Sequence, residues 1–143
     1  MEKDFPEAMA FTEHWEGYKS NIVGDVGGRT IYGICERYFP KEVAAMVNMT
    51  AQDARAYAEA FYRKEFWDHC GCDDLPYPLD VVAFDCSVNP GPNWCAHHLL
   101  LTRDWRELLN EREAHYRLVA HANVLQGLIN RSEALKTKYE ACQ

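Results

Sequence analysis

Glu16, Asp25 and Thr30 lie in one glycine-dense stretch, EGYKSNIVGDVGGRTIYGI, residues 16–34. Two carboxylates and a hydroxyl, interleaved with glycines at 17, 24, 27, 28 and 33, suit a chain that goes out and returns on itself. Glycoside hydrolysis asks for such a set. One protonated carboxyl group gives its proton to the leaving oxygen, and a second, ionised one attacks the sugar or activates a water. A threonine hydroxyl beside the second helps hold that water in line. Trp15, Tyr18 and Tyr32 supply apolar walls of the kind that keep a carboxyl group protonated for general-acid work. Composition and spacing alone also fit a glutamate at a surface helix end and an aspartate in a turn, because both are common there.

Four further polar residues fall where polarity needs a reason. Asp85 and Asn89 interrupt the apolar run LDVVAFDCSVN, residues 79–89, and lie four apart on one helical stripe. They suit either a cleft floor that hydrogen-bonds a substrate N-acetyl group or a buried pair satisfying a helix end. Arg112 sits on the apolar line of a long amphipathic segment, and a buried guanidinium needs a carboxylate. Glu16 and Asp85 are its candidate partners, with Arg131 the alternative cation. His69-Cys70-Gly71-Cys72 invites a zinc reading, but a C-x-C without a second compact pair is a weak metal signature. His97 and His98 fit a helix surface. No metal and no cofactor is expected.

The elements that must carry these residues are mostly helical. Residues 5–16 read as a short helix with Phe5, Met9, Phe11 and Trp15 as its apolar positions. The glycine-rich stretch reads as a small hairpin or meander. Thr50 reads as an N-cap. Behind it Ala54, Tyr57, Ala58, Phe61 and Tyr62 keep helical spacing to about Trp67. Pro76 and Pro78 stop the following loop. Residues 79–89, apolar on most sides, read as a central helix buried by its neighbours. Pro90-Gly91-Pro92 ends it, and a short helix follows over about 93–101. Residues 103–122 form a long amphipathic helix with Trp105, Leu108, Leu109, Tyr116, Val119 and Ala120 as its apolar line. The last, about 124–141, shows Leu125, Leu128, Ile129, Leu135 and Tyr139.

The totals agree with one folded domain over residues 1–143, mainly α with one small β-hairpin near the N-terminus. The 143 residues are 48% hydrophobic and 26% charged, with a net charge of −7. That charge disfavours a protein built to grip nucleic acid. No apolar run reaches membrane-span length, and the acidic start MEKDFPEAMAF lacks a signal-peptide core. Synthesis in the cytoplasm, without stable membrane insertion, is the expectation. Six cysteines at 35, 70, 72, 86, 95 and 142 then read as reduced thiols.

From Glu16 onward the sequence resembles the lysozyme-like muramidases of glycoside hydrolase family 108, found in phage endolysins and prophages. That family carries E-G-G-Y-x-N-x-x-x-D-x-G-G-x-T-x-x-G-I, and Glu16, Gly17, Asn21, Asp25, Gly27, Gly28, Thr30, Gly33 and Ile34 match it without gaps. Tyr18 replaces its second glycine and Lys19 its tyrosine. A second block, residues 60–100, is similar through Tyr62, Phe66, Trp67, Phe84, Asp85, Val88, Asn89 and Gly91. A third includes Arg112, Tyr116 and Asn130-Arg131.

The resemblance implies a lysozyme-like α+β fold and an N-acetylmuramidase. It would cut the β-1,4 bond between N-acetylmuramic acid and N-acetylglucosamine in peptidoglycan. Glu16 would be the general acid, with Asp25 and Thr30 activating or positioning water. Tyr18, Tyr32 and Asn89 would bind the glycan, supported by Asp85 and Arg112. The implied partner is the peptidoglycan strand, met by a monomer that depends on a holin to leave the host cytoplasm. Alternatives are a lytic transglycosylase, a chitinase-like glycosidase, and a non-catalytic phage structural or wall-binding protein.

Overall fold

The computed structural model describes residues 1–16, 22–25 and 28–142. The chain is mainly helical, with a small antiparallel sheet near the N-terminus, the lysozyme-like α+β class expected. It forms two compact units, Met9–Lys64 and Met1–Ala8 together with Glu65–Gln143.

The first unit holds most of helix α1 (Phe5–Glu16), then strands β1 (Ile22–Asp25), β2 (Gly28–Ile31) and β3 (Ile34–Cys35). Helices α2 (Pro40–Met46) and α3 (Ala51–Tyr62) follow. The strands form an antiparallel meander in the order β1-β2-β3, one two-residue strand more than a hairpin. Ile31 and Ile34 pair across β2 and β3 and are both buried. Helix α2 packs on β2, β3 and α3, burying Val43 and Met46. It starts at Pro40, whose missing N–H costs nothing in a first turn. The N-cap assigned to Thr50 is present: its Oγ1 accepts from the Asp53 N–H at 3.1 Å. Phe39 meets Phe61 edge to face at 4.9 Å.

Helix α3 continues through a π-helical turn, Arg63–Asp68, into the second unit. That unit is built around α4 (Leu79–Val88), of which every residue from Leu79 to Ser87 is buried. Its neighbours are the turn Cys72–Asp74, α5 (Pro92–Leu99) and α6 (Trp105–Val119). Helix α7 (Ala122–Tyr139) packs on α6. Phe5, at the start of α1, stands edge-on to Trp67 at 5.4 Å and to Phe84 at 5.6 Å. Asp104 caps α6, its Oδ1 accepting from Arg106 N at 2.8 Å.

One expectation fails at the tip of α6. Val119 is 60% exposed and not part of the apolar line. The α6 surface that α4 and α7 cover ends near Tyr116, and the last turn projects past it. None of the six cysteines is joined in a disulfide. No described helix is long and apolar enough to cross a membrane.

Candidate active site

Glu16 is the last residue of α1 and is half-buried. Asp25 ends β1, and its Cα faces Gly28 of β2. Thr30 lies two residues further along β2, where it pairs with Ile22 on one side and Cys35 on the other. Asp25 and Thr30 are therefore diagonal neighbours on adjacent strands, a relation that sets backbone positions about 7–8 Å apart. The register shifts between Ile22 and Asp25, which bends this corner of the sheet. Tyr18 and the side chain of Asp25 lie outside the described residues.

Helix α3 anchors both parts of this unit. Arg55, in its first half, forks onto the carboxylate of Glu13, one turn before Glu16. Tyr32 Oη donates to the carbonyl of Ala51, the first residue of α3, at 3.2 Å. Tyr32 and Gly33 make the turn between β2 and β3 with φ of +49° and +80°. Glycine adopts that backbone freely, whereas a tyrosine there is strained. Tyr62, buried at the end of α3, holds the strained residue, its phenol donating to the Tyr32 carbonyl at 3.0 Å. Tyr32 is thus engaged at both its hydroxyl and its carbonyl. Thr30, two residues before it, is half-buried.

The other sequence-singled residues meet in the second unit. Asp85 is fully buried between two arginines. Arg112 Nη1 donates to its Oδ2 at 2.8 Å, and Arg131 Nη2 to its Oδ1 at 2.7 Å. Burial alone would raise the pKa of this carboxyl group, but the two guanidiniums overcome it and hold the value at about 2. Of the two partners open to Arg112, Asp85 is the one it takes, and Arg131 binds the same carboxylate. Arg112 Nε also donates to Ser132 Oγ at 2.9 Å, and Nη1 to the Asn89 carbonyl at 3.1 Å. Asn89, the half-buried C-cap of α4, is further held by Tyr116 Oη, 2.9 Å from its carbonyl oxygen. The sequence marks Tyr116 as an apolar position of α6 and a member of the third block, without a place at the site, and does not mark Ser132. Tyr116 follows Arg112 at i+4 on the buried face of α6, and that spacing was the available signal.

Elsewhere His98 Nδ1 donates to the Trp94 carbonyl at 2.9 Å, and the ring stacks on that indole at 3.9 Å between centroids. His97 is exposed. Among the described residues no three His, Cys, Asp or Glu side chains converge as a metal site.

The family model described as Glycosyl hydrolase 108 matches residues 9–91, more than half of the chain and the whole stretch from Glu16 to Thr30. No curated protein and no solved structure shows significant similarity to the chain.

Proposed function

The chain belongs to glycosyl hydrolase family 108 and is a glycoside hydrolase, and on that premise we propose that its substrate is peptidoglycan. In this proposal residues 1–143 act as one muramidase, cutting the β-1,4 bond between N-acetylmuramic acid and N-acetylglucosamine. What carries it is one stretch: the family match includes Glu16, Asp25 and Thr30, with Glu16 at a helix end and the other two diagonal on neighbouring strands.

The chemistry needs an acid and a means of aiming water. Glu16 protonates the glycosidic oxygen as the bond to the anomeric carbon breaks. Asp25 takes a proton from the incoming water, and the Thr30 hydroxyl fixes that water's direction. Tyr18 and Tyr32 flank the sugars, and Asn89 hydrogen-bonds an acetamido group. Asp85 and Arg112 act through Asn89 and not on the sugar, because both are fully buried. As a phage or prophage endolysin made in the cytoplasm, the enzyme would reach the wall through a holin lesion.

Glu16→Gln keeps shape and removes the acid. Turbidity clearance of permeabilised cells should fall by about 10²–10⁴-fold, the range of general-acid catalysis. Undiminished clearance would remove Glu16 from the role. Mass spectrometry of the digest should find reducing muramic acid ends; anhydro ends would instead indicate a transglycosylase. Digestion of chitin oligomers in preference to wall would indicate a chitinase-like enzyme.

A further inference from the structure

Asn89 ends α4 with both of its carbonyl positions close to one phenol. Tyr116 Oη lies 2.9 Å from the main-chain oxygen of Asn89 and 3.0 Å from the nearer atom of its side-chain amide. Arg112 Nη1 donates to the same main-chain oxygen at 3.1 Å. Arg112 has little freedom to do otherwise, because Asp85 and Ser132 fix its other contacts.

A phenol carries one proton. If it goes to the side-chain amide, the Tyr116 and Asn89 main-chain oxygens face each other 2.9 Å apart with no hydrogen between them. If it goes to the main-chain oxygen, that carbonyl has both lone pairs filled, one by Tyr116 and one by Arg112. The amide atom 3.0 Å from Oη must then be a donor. Nitrogen and oxygen of a side-chain amide occupy equivalent positions, and the surrounding hydrogen bonds decide between them. Only the second arrangement satisfies the phenol, the side-chain amide and the main-chain oxygen together.

We propose that Asn89 turns its NH2 group onto Tyr116 Oη and presents Oδ1 at its accessible end, as an acceptor for the acetamido N–H of an N-acetylated sugar. Asn89 is half-buried, and its amide holds none of the enclosed unpartnered atoms among the described residues. The far end is therefore open to a ligand. This sharpens the proposed function and rests on it for the sugar: the site reads the N–H of the acetamido group, not its carbonyl. The Asp85–Arg112 pair positions Asn89 by fixing the guanidinium that fills its main-chain oxygen.

Two measurements test this. In the first, the Asn89 side-chain NH2 resonances, identified by their absence in Asn89→Asp, should show cross-relaxation to the Tyr116 ring and slowed solvent exchange. Tyr116→Phe should abolish the slowed exchange. Fast exchange with no cross-relaxation in the unsubstituted protein overturns the orientation, whatever the protein cleaves. The second is kinetic, on N-acetylated glycan strands. Asn89→Leu should lose about tenfold in kcat/KM on these strands, the scale of one hydrogen bond, and almost nothing on strands whose acetamido N–H is replaced by an ester oxygen. An equal loss on both substrates overturns the acceptor role. Absence of cleavage by the unsubstituted protein overturns the glycosidase reading and the sugar contact, while the resonance measurement still decides the amide.

Discussion

Arg131 forks onto Asp85, with Nη2 2.7 Å from Oδ1 and Nε 3.0 Å from Oδ2, and so joins α7 to the fully buried centre of α4. Arg112 binds the same carboxylate from α6. One carboxylate thus ties three helices.

Removing that carboxylate should therefore cost far more than the cluster contributes when intact. Asp85→Asn should destabilise by about 3–5 kcal/mol, because it takes the shared carboxylate from two buried guanidiniums, whereas Arg112→Met and Arg131→Met should each cost less, because Asp85 keeps the other guanidinium. The triple replacement of all three by apolar residues should cost less than the sum of the single changes. Urea unfolding of the four variants measures this. Strict additivity would show that the three residues do not act as one buried unit.

The same cluster predicts an acid limb. The folded-state pKa of Asp85, about 2, is below the 3.8 of an ordinary aspartate in an unfolded chain. Its contribution is therefore complete above about pH 4 and is lost as pH falls through about 2. The difference corresponds to about 2 kcal/mol. Stability followed by denaturant titration between pH 5 and pH 2 should fall by this amount. In Asp85→Asn that part of the slope should be absent, on a lower baseline. An unchanged slope in the variant would assign the acid limb to other carboxylates.

The elements with long apolar periodicity were readable from sequence. Helix α4 was legible because almost every side chain in it is apolar, and α3 because Thr50 caps a regular stripe. Helix α2 was not, since Val43 and Met46 are its only buried positions and two residues make no period. Val119 misled because its hydrophobicity suggested burial, whereas coverage depends on where the neighbouring helices end. That Arg112 needs a carboxylate followed from burial of charge. The choice of Asp85 required tertiary packing, as did the sharing of that carboxylate with Arg131. The candidate catalytic residues were legible by pattern alone; the anchoring of their elements on α3 was not, because Glu13–Arg55 and Tyr32–Ala51 join positions far apart in sequence.

Tyr32 gives a local test of that anchoring. Its backbone is held at φ +49°, and a non-glycine residue there costs about 1–2 kcal/mol. Tyr62→Phe deletes the hydrogen bond that holds it and should destabilise by about 1 kcal/mol. Tyr32→Gly relieves the strain but gives up the Ala51 contact, so its net effect should be smaller than that of Tyr62→Phe. Thermal unfolding of the two variants gives the order. A neutral Tyr62→Phe would mean that the turn keeps its shape without the phenol.

Asp25 and Thr30 should differ in how much catalysis depends on them. Asp25 is assigned the proton of the attacking water, and Thr30 only that water's direction. Asp25→Asn should lower kcat by about 10²–10⁴-fold, as loss of a general base does. Thr30→Val should lower it by about tenfold, since one hydrogen bond to water is lost while the base remains. Neither change should alter KM greatly, because neither residue is assigned to ground-state sugar binding. The stereochemistry separates base from nucleophile. A water activated by Asp25 enters opposite the leaving group and gives the inverted anomer, whereas a covalent glycosyl–Asp25 intermediate would give retention. Proton NMR of the first product formed from a defined oligosaccharide reads the anomer before it equilibrates. Inversion together with a deep Asp25→Asn loss supports the general base; retention, with a glycosylated protein visible by intact mass, would make Asp25 the nucleophile.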